Sequence, residues 1–479
     1  MGLMYTVPAK YFFRLHHIRP RFKNDVENVL SYMAVEIAKL KPGAHEAFAK
    51  NLNGAIKLYP GNASKEAKTI NNWRTEISSL FGLIEYDGAV SKPGRMAGLL
   101  AETQDLIEFF RHFLFYFQYP GGHLKPRETF ELIAAGIKFK PAKYILLVLQ
   151  EGKKLSEDGK FGITKAEATH CIFNDLRVTR DGRPAAETAA LILENRKKKL
   201  SYDSKGDVIR YAGDILDYME LAGLVSLKLN YQYYLSMVSL EAMQAYLKDK
   251  DFFRPYIPFY GNPETSVADV TATQQAWFKH VNNRLAPATF RADIASIIEE
   301  AGAAAEIAAD ADKSRFIKEV LAKLRSSREA EEGLKTKEIG DIGEAIVIEH
   351  EKARLSDLGR TDGGRLIKKI PETFAVGYDI ASFENASDVR RFIEVKTTIS
   401  RGKLATKNFH MTSSEWSAAN TSRGHYFIYR LMISTADIGL FLIQDPVGKY
   451  KADLVDMLPR AGTDINYSDK SGCWEKLRA

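Results

Sequence analysis

Two patterns of apolar and polar positions alternate along the chain. Ile70, Trp73, Ile77 and Leu80 are spaced as one face of a helix within EAKTINNWRTEISSL, and Ile209, Ala212, Leu216 and Met219 repeat that spacing in DVIRYAGDILDYMELA at 207–222. A strand-like pattern follows each helix at once. FGLIEYDGAVSKPGRMAGLLAETQ reads as strand, Gly/Pro-rich turn, strand, and GLVSLKLNYQYYLSMVS reads as strand, Asn-containing turn, strand. FGLIEYDG and AGLVSLKL occupy corresponding places after their helices, a weak internal repeat.

A helix running directly into a β-hairpin is the tail of a winged helix–turn–helix, so the repeat predicts two winged modules. Further helices precede the second hairpin. Pro141 sits at the first turn of AKYILLVLQEGKKL, Thr164 and Glu167 form a capping box opening ITKAEATHCIF, and a third helix spans about 184–199. Beyond 250, FFRPYIPFYGNPETS reads as an extended connector. An alanine-rich helix at 297–312 and a charged helix at 313–332 then read as a spacer, with Phe316, Val320 and Leu324 on one packed face. The expected divisions are 1–120 and 121–250 as winged-helix-like modules, 251–332 as connector and helical linker, and 333–479 as a separate catalytic domain. The expected fold is multidomain, mostly α with small sheets in the N-terminal region and α/β with a central mixed sheet in the C-terminal one.

The pattern changes again at 374–398, FAVGYDIASFENASDVRRFIEVKTT. Phe374–Ser382 and Val389–Thr398 flank a turn-rich stretch, Glu384 to Asp388, which predicts an antiparallel hairpin. Asp379 lies on the first arm. Glu394 and Lys396 lie two apart on the second, hence on one face of a strand. Phe392, Ile393 and Val395 predict a substantially buried strand, where retained charges mark a site. Two carboxylates beside one ammonium suit Mg²⁺, which keeps several waters and shares its shell with phosphate. That combination fits metal-assisted phosphodiester hydrolysis. A structural reading of the same residues is an exposed stripe of cross-strand charges.

GYDI followed by IEVKTT resembles the PD-(D/E)XK nucleases. In that resemblance Asp379 is the first acid and Glu394-Val395-Lys396 the E-x-K element, while Tyr378 stands where the nominal pattern has proline. Gly343-Glu344 resembles the helical glutamate placed beside the metal, and TSSEWSAA with HYFIYRL resembles the helix and strand that close the subgroup with an EVK core. The resemblance covers about the last third of the chain. It implies that Asp379, Glu394 and the main-chain carbonyl of Val395 hold Mg²⁺ with help from Glu344, and that Lys396 positions the attacking water. Two competing assignments stand beside it. Asp341 and Glu344 fit a capping box, and Glu415, three after Thr412, is most simply a capping-box glutamate and is not counted as catalytic. Trp416 reads as core.

Composition shifts this picture only slightly. At 479 residues the chain exceeds one ordinary core. No apolar run approaches bilayer-spanning length, and the start lacks the apolar segment of a secretory signal, so a cytoplasmic location is expected, in a prokaryote as the resemblance below implies. Two distant cysteines, Cys171 and Cys473, predict free thiols, and no histidine shows zinc-ligand spacing. A net charge of +7 favours a polyanion modestly. Candidate phosphate contacts are Arg14, Arg19 and Arg21 in KYFFRLHHIRPRFK, Lys197, Lys198 and Lys199, and Arg401 and Lys403 after the E-x-K strand. For each, a solvated face or helix end is an equally available reading.

The whole resembles a restriction endonuclease of the type IIS kind, Mg²⁺-dependent and specific for double-stranded DNA. One site cuts one strand, so the resemblance implies a homodimer, at least transiently, and a cognate methyltransferase in the same system. Alternatives are a nuclease that needs modified or branched DNA, and a DNA-binding or docking protein with an inactive nuclease-like domain.

Overall fold

The computed structural model describes all residues except 1–2, 18–19, 21, 23–24, 60–61, 63–64, 206, 237–239, 284–289, 327–338, 361–362, 372–373, 385–387, 403, 406, 461 and 479. The chain forms two compact units, Met1–Ala101 with Ile107–Phe290, and Glu102–Leu106 with Arg291–Ala479.

The first unit is mostly helical with two small sheets. Its first part runs α1 (Val26–Ala38), β1 (Gly43–Ala44), α2 (His45–Leu58), α3 (Ala67–Thr75), β2 (Ile84–Asp87) and β3 (Val90–Pro93). The three strands form one antiparallel sheet in the order β1-β3-β2. Ile70, Trp73, Ile77 and Leu80 are all buried, as their spacing predicts. The hairpin turns at Gly88, where φ is positive, and not at Pro93-Gly94. The second half of FGLIEYDGAVSKPGRMAGLLAETQ is therefore no strand: Pro93 ends β3, and Met96, Ala97 and Leu100 form the buried face of α4 (Arg95–Thr103). Pro-Gly here separates strand from helix.

After α5 (Leu106–Tyr116), the second part carries α6 (Pro141–Leu155, proline in its first turn), β4 (Gly162–Ile163), α7 (Ala185–Lys197), α8 (Arg210–Leu221), β5 (Val225–Leu227) and β6 (Tyr233–Leu235). Strand order is β4-β6-β5, the same as in the first sheet when each is counted from its first strand. The Thr164–Glu167 capping box is formed, with Glu167 N–H donating to Thr164 Oγ1 at 3.1 Å. The stretch read as an extended connector is folded. A short 3₁₀ turn, Arg254–Phe259, leads to α9 (Val267–Ala272) and α10 (Gln274–Asn283), and Phe253, Tyr256, Trp277 and Phe278 are buried in this unit. Aromatic side chains supply the burial that holds prolines here in a compact path.

The second unit is built on a mixed six-stranded sheet, order β15-β12-β11-β9-β8-β7. Its elements are α11 (Ile294–Ile307), α12 (Ala311–Ser326), α13 (Ile339–Asp357), β7 (Lys368–Lys369), β8 (Ile380–Phe383), β9 (Arg390–Ser400), β10 (Asn408–Thr412), α14 (Ser413–Ser422), β11 (Tyr426–Ser434), β12 (Ile438–Gln444), α15 (Pro446–Lys451), β13 (Val455–Arg460), β14 (Gly462–Tyr467) and β15 (Cys473–Glu475). The expected hairpin is present: β8 and β9 pair antiparallel with Ile380 opposite Ile393. Of the predicted turn residues, 385–387 lie outside the described ones. β11 runs parallel to β9, Glu394 opposite Ile428. The helices α11 and α12 belong to this unit and bury Ile298, Ala301, Phe316, Ile317 and Val320, so they are packed structure rather than spacer. Both cysteines are free, Cys171 buried and Cys473 exposed.

Candidate nuclease site

The site forms at the mouth of the β8–β9 hairpin, where three local decisions of the sequence meet. Gly377, with φ +80°, turns the chain into Tyr378-Asp379; a Cβ there would lie 2.5 Å from the Ser414 carbonyl oxygen, so only glycine lets this turn press against the start of α14. Asp379 then enters the ladder, its N–H donating to the Ile393 carbonyl at 2.9 Å. Its carboxylate reaches past that bond and accepts the Val395 N–H at 2.7 Å. The N–H and C=O of one strand residue point to the same side. The Val395 carbonyl therefore faces the Asp379 edge, beyond the first residue of β8.

Glu394 and Lys396 lie on one face of β9 and meet, Nζ to Oε1 2.6 Å. Lys396 also donates to Glu415 Oε2 at 2.8 Å. Tyr378, Phe392, Tyr426 and Trp416 line the surrounding apolar cluster. Burial in these surroundings pushes the Glu394 carboxyl well up and raises Asp379, in which the Val395 N–H works the other way. For Lys396, burial alone would favour the neutral amine. Glu394 and Glu415 outweigh it and hold the ammonium. Glu415 is held below the ordinary carboxylate range by Lys396, against burial.

Glu344 reaches this region from α13. Gly343 is the reason: an added Cβ would lie 1.9 Å from Thr397 Oγ1, so the helix packs backbone to strand. Glu344 is half-buried, its carboxyl raised by burial, and Lys369 of β7 lies 2.9 Å from Oε2. The capping-box reading of Asp341 fails because α13 already includes Ile339; Asp341 instead accepts from Lys369 at 2.6 Å.

Asp379, Glu394, Lys396 and Glu344 are thus brought together. Two residues join them that the sequence reading left out of the site, Glu415 as a capping glutamate only and Lys369 altogether. Glu415 does form its capping box with Thr412, yet the same carboxylate holds Lys396. Lys369 carried no signal beyond its charge. Among the described residues no three His, Cys, Asp or Glu side chains form a ready-made metal cage. Asp379 and Glu394, with the Val395 carbonyl, nevertheless offer the hard oxygen donors that suit Mg²⁺, which takes few protein ligands.

The candidate phosphate contacts fare differently. Arg401 is engaged by Glu300 through two bonds, 2.7 and 3.1 Å. Arg14 donates to the Asp207 carbonyl at 2.8 Å and lies over the Tyr211 ring. Lys197, Lys198 and Lys199 are exposed at the end of α7, Lys198 paired with Glu194. Arg19, Arg21 and Lys403 lie outside the described residues. A groove in the first unit that the sequence did not single out is lined by His45, Lys50, Asn53 and Lys57 of α2 and Arg74 of α3.

The family model described as restriction endonuclease BpuJI, N terminal, matches residues 5–278, more than half of the chain. The chain belongs to this family. It is thereby a restriction-endonuclease-like protein. A second model, protein NO VEIN, C-terminal, matches residues 343–443, which carry Glu344, Asp379, Glu394, Lys396 and Glu415. One similar solved structure is the BpuJ1 endonuclease binding domain in complex with pyrene- and phenanthrene-modified DNA. It is 24% identical at TM-score 0.50, covering 58% of this chain and 100% of that one, a likeness of fold. No curated protein sequence matches the chain. No described helix is long and apolar enough to cross a membrane.

Proposed function

We propose that the chain is a site-specific, Mg²⁺-dependent DNA endonuclease whose first unit reads the duplex and whose second unit cuts it. The observation that carries the cutting half is Lys396, held between the buried carboxylate of Glu394 and the partly buried one of Glu415, one residue from a carbonyl on the Asp379 edge. Burying such a set costs several kcal/mol per ion before pairing offsets it, and apolar side chains would fill the space with no such penalty. Charge kept there nonetheless belongs to chemistry.

In this PD-(D/E)XK-type reading, Asp379, Glu394 and the Val395 carbonyl would hold Mg²⁺, with Glu344 helping directly or through water. Mg²⁺ bound there would neutralise charge at the phosphate and lower the pKa of a water. Lys396 orients the attacking water. The water oxygen bonds to phosphorus as the P–O3′ bond breaks; the attacking water gives a proton to solvent and the departing 3′-oxygen takes one from solvent, leaving a 5′-phosphate and a 3′-hydroxyl. Cutting both strands takes two such sites, hence at least transient pairing of subunits, and a host carrying this enzyme needs a cognate methyltransferase.

For reading, we assign the α2–α3 face. Lys50, Lys57 and Arg74 place three cations along one groove against the single acid Glu46, and Lys68 and Asn71 are exposed on α3. Helix, helix and hairpin in this order, with β1 completing the sheet, support a winged-helix reading of this part. The equivalent helix of the second part, α8, has Asp217 and Glu220 among its partly exposed residues, a poor surface for phosphate.

The deciding test is a digest of unmodified and methylated plasmid with Mg²⁺, beside Asp379→Ala and Lys396→Ala. Discrete fragments from the wild type alone, with both variants still binding DNA, support the reading. Equal cutting by the variants rejects the site. Cutting confined to methylated plasmid makes the enzyme modification-dependent.

A further inference from the structure

Lys396 has three N–H donors. Glu394 takes one, and Glu394 is also an acid that a metal draws on. Glu415 takes a second at 2.8 Å, and it comes from α14 rather than from the hairpin. Its carboxylate is fixed from behind as well, since Oε2 accepts the Thr412 N–H at 3.1 Å while the Glu415 N–H donates to Thr412 Oγ1 at 3.2 Å. The side chain is 13% exposed, so water competes little for it. The capping box therefore sets a carboxylate at a defined place, and that carboxylate holds the Lys396 ammonium from a second element.

We propose that Glu415 is a positioning residue of the site. It acts through Lys396, keeping the ammonium aimed when Glu394 turns to a metal, and touches neither metal nor substrate. This assignment rests on the nuclease reading of the site. It differs from the capping role alone in one decisive respect: a glutamine at the third helical position closes a capping box as well as glutamate does. Glu415→Gln thus preserves the helix start and removes only the charge that holds Lys396.

The test uses the full chain as wild type, Glu415→Gln, Lys396→Ala, the double variant and Glu394→Gln. With saturating DNA and Mg²⁺, Glu415→Gln is expected to lower kcat about 10- to 100-fold with KM little changed, the size of effect that loss of alignment produces. The double variant is expected to be no slower than Lys396→Ala, since groups that act as a unit are non-additive. Calorimetric Mg²⁺ affinity is expected to be kept in Glu415→Gln and lost in Glu394→Gln. A readout free of turnover is acetylation of Lys396 followed by mass spectrometry in Mg²⁺, expected to be faster in Glu415→Gln. Wild-type kcat in Glu415→Gln, an additive double variant, or loss of Mg²⁺ affinity in Glu415→Gln each overturns the proposal, the last by making Glu415 a ligand. A wild type that cuts no DNA while Glu415 still protects Lys396 overturns the nuclease reading and leaves the positioning contact standing. Unchanged acetylation overturns the contact itself.

Discussion

Replacing Gly343 by alanine isolates the packing that delivers Glu344. In a helix interior the exchange ordinarily stabilises by about 1 kcal/mol, because alanine loses less backbone entropy. Here the new Cβ would lie 1.9 Å from Thr397 Oγ1 and 2.9 Å from Thr397 Cβ. Rotating Thr397 about χ1 relieves the first contact but not the second, since Cβ lies on the rotation axis. The helix must move off β9 by several tenths of an ångström. Overpacking of this kind costs about 1–3 kcal/mol, and a clash with a Cβ that cannot rotate away belongs at the upper end, above the propensity gain. A net loss of about 2 kcal/mol corresponds to roughly 4–8 °C in thermal midpoint for a unit of this size. Glu344 is the next residue and moves with the helix, so cleavage is expected to fall about 10- to 100-fold while DNA binding persists. Thr397→Ala in the same background removes Oγ1 and Cγ2 and should recover much of both losses. Thermal unfolding and single-turnover cleavage measure the two effects separately. An unchanged midpoint refutes the contact; a lowered midpoint with full cleavage refutes the role of Glu344.

Other outcomes come from the same geometry. Lys50→Ala with Lys57→Ala should weaken DNA binding about equally across sequences and lower the slope of log affinity against log salt by roughly one for each phosphate no longer neutralised; Asn71→Ala should instead change the preferred sequence, as read by selection from a random pool. His350 is buried, and burial holds its pKa down at about 4. Below its unfolded value near 6.5 the unfolded chain takes a proton that the folded chain refuses. Stability should therefore fall between pH 6.5 and 4, by about 3 kcal/mol at 1.36 kcal/mol per unit, and level off below that window as far as this group is concerned. Urea midpoints of the wild type and His350→Gln across that range would show it, and parallel curves would refute it.

What the sequence revealed, it revealed through local pattern. Asp379, Glu394 and Lys396 were legible because a strand period and a hairpin length place them together without knowledge of the rest. Glu344 was legible through its glycine neighbour. Glu415 was not, because its capping partner lies three residues away and accounts for the glutamate completely, whereas Lys396 lies nineteen away on another element. Arg401 misled for the same reason, its partner Glu300 being 101 residues distant. The path from Arg254 to Asn283 shows the opposite error: prolines and glycines marked breaks in regular structure, but Phe253, Tyr256 and Trp277 decided that the breaks lie in a folded body. The helix from Arg95 was lost to Pro93-Gly94, a signal that marks a boundary without specifying the next element.

The chain leaves its first unit at Ala101, places five residues, Glu102–Leu106, in the second, and returns at Ile107. Those five residues are no idle passage. The Gln104 carbonyl accepts the Ile399 N–H at 3.2 Å, Gln104 Oε1 meets Thr398 Oγ1 at 3.1 Å, and Asp105 accepts the Ala292 N–H at 2.8 Å, all at the far end of the strand that bears Glu394 and Lys396. The second unit excised as one contiguous stretch from 291 onward arrives without this brace. Anyone moving that unit to another protein must supply the missing pentapeptide by insertion or lose these bonds to the strand end, so the two units are separate in packing but interleaved in covalent order.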